Sequence, residues 1–125
     1  MKRSLKLLSV ASLLVLVAVA SAFSHPRADG PQDFTLVNRI GTTIEEVYVS
    51  PSTEADWEDD VLGTDVLING DSVEIIFEDR KKQKEWDLKV VTAAGKSWIW
   101  EELDLMTISE VTISLRNGKP YATTK

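Results

Sequence analysis

The sequence predicts an all-β domain, an antiparallel β-sandwich or barrel of about seven short strands. Three observations carry this. Apolar and polar residues alternate in short runs, most clearly where Trp86, Leu88 and Val90 interleave with Asp87 and Lys89. The runs are rich in Val, Ile, Thr and aromatic residues, which suit a pleated, half-buried surface. Gly, Pro and Asn turn signals separate them, and neither a βαβ pattern nor an internal repeat is present.

The N-terminus carries a different signal. Lys2, Arg3 and Lys6 precede an apolar run from Leu7 to Ala20, and Ala20-Ser21-Ala22 closes it. A basic start, an apolar centre and small exit residues are the three parts of a secretory signal peptide. The run, roughly 14 residues, falls short of the about 20 that span a bilayer as a helix. Residues 1–22 are therefore read as a signal peptide cut after Ala22, and the product as secreted or periplasmic, without a stable membrane anchor. No cysteine follows the run, so the thiol of a bacterial lipoprotein anchor is missing.

Phe23 to Gln32 contains His-Pro, Asp-Gly and Gly-Pro steps without apolar period and reads as a flexible leader, with a single β-domain over residues 33–125. Phe34 to Asn38 is the first strand, with Phe34 and Leu36 on one face. Asn38 and Gly41 suit a turn that needs positive φ. Ile44 to Ser50 is the second strand, with Val47 and Val49 facing opposite to Glu46 and Tyr48, and Pro51 ends it. Ser52 to Asp60 reads as an acidic loop or one short helical turn, and Val61 to Ile68 is ambiguous. Asn69-Gly70 introduces a strand from Ser72 to Phe77, and Glu78 to Lys84 is a charged connection. Trp86 to Val91 and Ser97 to Leu103 form the clearest hairpin, turning at Ala93-Ala94-Gly95. Thr107 to Leu115 follows, and Asn117-Gly118 turns the chain into a short tail.

Composition removes several function classes. Three of the 14 basic residues and none of the 20 acidic ones lie in the first 22 positions, so the processed domain carries 11 against 20, a net charge of −9. Nucleic acid and anionic lipid are held mainly by Lys and Arg and repel such a surface. There is no cysteine, and the only histidine, His25, falls in the leader. Thiol nucleophiles, Ser-His pairs and multi-histidine zinc sites are thereby unavailable. No nucleophile elbow, P-loop or dinucleotide fingerprint occurs, so a non-enzyme is expected. A carboxylate-dependent hydrolase is the catalytic alternative, although no spacing picks out two acids.

The densest polar cluster is Glu54-Ala55-Asp56-Trp57-Glu58-Asp59-Asp60, with Asp65 beyond it. Asp56, Glu58, Asp60 and Asp65 are candidate ligands for Ca²⁺, a hard cation that takes six to eight oxygens. The loop does not match an EF-hand, since Val61 and Leu67 stand where glycine and the bidentate glutamate belong. A solvated acidic loop with Trp57 folded back over the core is the other reading, and Asp60 between Trp57 and Val61-Leu62 suits capping of backbone N–H groups. Cleavage after Ala22 would start the chain Phe23-Ser24-His25, whose amine, two amide nitrogens and imidazole suit Cu(II) or Ni(II). Trp57 and Tyr48 are the candidate ligand- or partner-binding aromatics. Trp98-Ile99-Trp100 suits either a sugar platform or, preferably, packing beside Trp86.

Phe34-x-Leu36-x-Asn38-x-x-Gly41-x-x-Ile44, then Val47-Tyr48-Val49-Ser50-Pro51-Ser52, Trp57-x-x-Asp60-Val61-Leu62-Gly63 and Trp86-Asp87-Leu88-Lys89-Val90 resemble a group of small secreted or periplasmic bacterial β-domains of unknown function. The resemblance spans about two-thirds of the processed chain and implies a bacterial source and a compact β-domain. It transfers no functional residues, and Glu58 stands where that pattern has glycine. The expectation from sequence is thus an exported, non-catalytic module that binds an envelope protein or a small ligand, with no cofactor; a Ca²⁺-binding module is the alternative.

Overall fold

The apolar member of each alternating pair is withdrawn from water. Leu36, Val73, Ile75, Leu88, Val90, Val111 and Ile113 are all fully buried, whereas their neighbours along each strand are less so. The computed structural model describes residues 15–19, 32–77 and 83–125. These form strands β1 (Val15–Val19), β2 (Phe34–Arg39), β3 (Ile44–Pro51), β4 (Ser72–Phe77), β5 (Glu85–Thr92), β6 (Ser97–Asp104), β7 (Glu110–Arg116) and β8 (Lys119–Thr124), with no helix among the described residues.

Two sheets result, one in the order β1-β4-β2-β7-β8 and one in the order β3-β5-β6. Their inner faces share one core, to which β2, β4 and β7 contribute from one side and β3, β5 and β6 from the other. This is the expected all-β, sandwich-like fold. Phe34, Phe77 and Trp86 tie the sheets at one end, with Phe77 edge-on to Trp86 at 4.8 Å between centroids. Trp100 ties β6 to β8, its indole N–H donating to the Tyr121 carbonyl at 3.0 Å. Trp98 stands opposite Val90 and Trp100 opposite Leu88, so both tryptophans belong to the packed face and do not form a sugar platform.

Several details differ from the sequence expectation. β2 and β7 run parallel, a pairing between residues 75 positions apart, from Thr35 with Glu110 to Arg39 with Ser114, that local pattern does not encode. β3 continues through Pro51, which pairs with Trp86 near the strand's end. The segment 61–68 is a turn followed by irregular chain, joined to β3 by the Leu67–Ile44 bridge and by the Val61 N–H bond to the Val47 carbonyl. Asn117 and Gly118, at φ 54° and 77°, make a tight turn into β8 where a tail was expected. Gln32, assigned to the leader, is buried, and its Oε1 accepts from the Gln83 N–H at 2.8 Å. β1 lies inside the segment read as the signal peptide and pairs antiparallel with β4. The proposed cut after Ala22, the rest of the leader including His25, and residues 78–82 lie outside the described residues.

Asn38 also acts differently from its expected role. Gly41 takes the positive φ of the turn, 101°. The Asn38 amide is buried, donates to Thr42 O at 3.0 Å and Leu67 O at 2.9 Å, and accepts from the Ile40 N–H at 3.0 Å. One side chain therefore ties Ile40, Thr42 and Leu67 together across the irregular crossing and gives the buried Ile40 N–H its acceptor.

Candidate functional site

The outer face of β3-β5-β6 carries the most developed polar constellation. Strand alternation sends Glu46 and Tyr48 outward from β3, and Lys89 and Val91 outward from β5. The register places Tyr48 opposite Lys89, and Val91 opposite both Glu46 and Ser97. Glu46, Tyr48, Lys89, Val91, Gly95 and Ser97 line a hollow of about 320 Å³.

Tyr48 organises this hollow. Its hydroxyl donates to Glu46 Oε1 at 2.6 Å, and its ring lies 6.5 Å from that of Trp57. Lys89 Nζ sits 5.7 Å from the centre of the Tyr48 ring and 6.0 Å from that of Trp57, within range of both π faces. Partial burial, the bond to Glu46 and the negative charges of Glu46, Asp60 and Asp59 all hold the Tyr48 phenol above its ordinary pKa. It therefore stays a donor at neutral pH and fixes one oxygen of Glu46.

Trp57 is only 2% exposed, yet it stands outside the core cluster. It covers the outer face of β3 beside Tyr48, and not the core, because the loop after Pro51 doubles back along β3. Asp60 anchors that return. Its Oδ1 accepts from the N–H groups of Val47 at 2.9 Å and Leu62 at 3.0 Å, while the Val61 N–H donates to Val47 O at 2.8 Å. Burial raises the Asp60 pKa and the Glu46 charge adds to this, whereas the two N–H bonds oppose it. Ile44 then exchanges both backbone bonds with Leu67 at 2.9 Å. The acidic segment thus seals the free edge of β3, a feature that otherwise invites pairing with other chains.

This role explains why the acidic residues do not converge. Asp56 and Asp65 are exposed, Asp60 is committed to backbone N–H groups, and Glu58 is half-buried. Among the described residues no group of three or more His, Cys, Asp or Glu side chains is gathered to hold a metal ion, so the inward-pointing set expected from Asp56, Glu58, Asp60 and Asp65 does not form. Of the two aromatic candidates, Tyr48 lines the hollow and Trp57 backs it. Sequence reasoning missed Glu46, Lys89, Val91, Gly95 and Ser97 as a group. Their outward alternation was legible, but the β3–β5 register that joins them was not.

A second polar cluster is structural. The buried Asp87 accepts from the Ser52 hydroxyl at 2.6 Å and the Glu102 N–H at 3.0 Å. It lies where the β5–β6 register shifts between Trp86 and Leu88, and Glu102 takes φ 58°. Asp87 thus holds a bulge in the left-handed region, which costs a non-glycine residue about 1 kcal/mol.

No family model matches the chain, and no curated protein does. Among solved structures it is similar to a protein from Eubacterium rectale determined by NMR, with a TM-score of 0.50 and 16% identity over 79% of this chain and 94% of that one. The similarity concerns the fold.

Proposed function

We propose that the protein is an exported, non-catalytic binding module whose ligand seat is the hollow on the outer face of β3-β5-β6. The observation that carries this reading is the pairing of an oriented carboxylate with an ammonium group in one concavity: Glu46, fixed by the Tyr48 hydroxyl, and Lys89, held over two aromatic rings. An ordinary solvated sheet face has no need of a half-buried tyrosine and a buried tryptophan behind its charges. A small zwitterion suits the seat. Its amine would meet Glu46, its carboxylate Lys89, and its polar remainder the Ser97 hydroxyl and nearby backbone. The volume is at the small end of ligand sites, which favours a molecule the size of an amino acid or dipeptide.

The lack of a thiol, and a single histidine that falls in the segment read as a leader, support a binding role over a catalytic one. Export rests on the N-terminal pattern of residues 1–22 and on the resemblance to secreted bacterial β-domains. Titration of the ¹⁵N-labelled protein with a panel of amino acids and dipeptides tests the seat. Saturable shifts at Val91, Gly95 and Ser97, weakened in both Glu46→Gln and Lys89→Ala, are expected. Shifts elsewhere, or binding indifferent to both substitutions, would remove the proposal.

A further inference from the structure

β4 has a ladder partner on each side. On one side lies β2, and on the other β1, paired antiparallel from Val15 opposite Phe77 to Val19 opposite Val73 without a register shift. β1 belongs to the segment read as the signal peptide. Cleavage after Ala22 would remove that ladder partner and leave β4 with its second row of N–H and C=O groups unpaired.

The sequence of β4 is not that of a strand meant to face water. Ser72-Val73-Glu74-Ile75-Ile76-Phe77 contains one charge, no lysine and no proline. Two of the domain's other edges, β3 and β8, are managed. The segment from Asp60 to Leu67 covers β3, and β8 carries Lys119 and Pro120. We infer that, in the processed protein, the β4 edge accepts an extended apolar strand of at least five residues from another exported chain, bound antiparallel in the place that β1 occupies. This rests on the proposed export and cleavage.

The seated segment defines what the edge takes. Val-Leu-Val-Ala-Val is rich in β-branched residues and places small Ala18 opposite Glu74, the only charge on the strand. A partner strand therefore needs a small or basic residue at that register and apolar residues beside it. Main-chain bonds would supply affinity and the alternate side chains specificity. A second copy is the poorer occupant, because two domains of net charge −9 repel on approach.

The test uses the protein recovered after export, with its N-terminus established by mass. The probe is a synthetic peptide spanning Ser12 to Ser21 with two lysines at each end for solubility. Saturable binding with slowed amide exchange across Val73 to Phe77 is expected. Neighbouring amides of a strand point in opposite directions, so of the peptides carrying Leu16→Pro and Val17→Pro, one should bind roughly tenfold or more weaker than the other. Failure of the peptide to protect β4, equal effects of the two prolines, or dimerisation of the protein through β4 would each overturn the inference. So would recovery of the chain with residues 1–22 intact, which would fill the slot permanently and refute cleavage itself.

Discussion

Replacing Asp60 separates its two roles as hydrogen-bond acceptor and as charge. In Asp60→Ala the N–H groups of Val47 and Leu62 lose their shared acceptor, and both residues are almost wholly buried. An orphaned buried donor costs about 1–3 kcal/mol, so the substitution should destabilise by roughly 2–4 kcal/mol. Asp60→Asn retains an acceptor oxygen at the same place and removes a charge that burial disfavours, so at pH 7 it should stay within about 1 kcal/mol of the parent. The pH dependence follows from the sign of the shift. The folded carboxyl holds its proton more tightly than the unfolded one, so its contribution is fully present below the unfolded pKa and is lost as pH rises through the raised folded value. Urea denaturation followed by tryptophan fluorescence from pH 3 to 7 reads both effects. Asp60→Asn should become more favourable relative to the parent as pH rises through that window. Equal losses in the Ala and Asn variants, or a difference from the parent that does not change with pH, would refute the edge-sealing role.

Three further outcomes are expected. Asn38→Ala strips three bonds from a fully buried site and should cost about 2–5 kcal/mol in chemical denaturation, among the largest effects of any polar substitution in the domain. Glu102→Gly relieves the positive φ and should be neutral or stabilising by up to about 1 kcal/mol, while Asp87→Ala, which releases the same bulge, should lower the melting temperature. In an alkaline titration followed by tyrosinate absorbance, Tyr48 should ionise only on unfolding. Its contribution is present below the unfolded pKa of about 10 and is lost above it, so Tyr48→Phe should flatten the alkaline fall in stability.

Most strand positions were readable because their burial is local. The alternation of Trp86, Leu88 and Val90 puts three side chains with no exposed surface on one face, and Val47 with Val49 does the same on β3. Asp60 as a cap was legible as well, since a carboxylate before an apolar pair favours backbone N–H groups. What escaped depended on distant partners. Asp87 looks solvent-facing by alternation, yet Ser52 and Glu102 close over it. Nothing at Glu102 announces a left-handed residue, because the usual Gly or Asn is absent. Pro120 weakened the strand signal of β8, although Asn117-Gly118 marked its turn. The parallel β2–β7 pairing and the β3–β5 register, on which the hollow depends, arise from the packing of the two sheets.

The binding reading stands most directly on the hollow between Glu46 and Lys89. The deciding measurement is an amide-shift titration of the ¹⁵N-labelled protein with zwitterionic dipeptides, repeated in Glu46→Gln and Lys89→Ala. Saturable changes confined to the outer face of β3-β5-β6, with affinity reduced roughly tenfold in each variant, are the expected result. Unchanged spectra across the panel, or binding at a surface that neither substitution affects, would contradict the account.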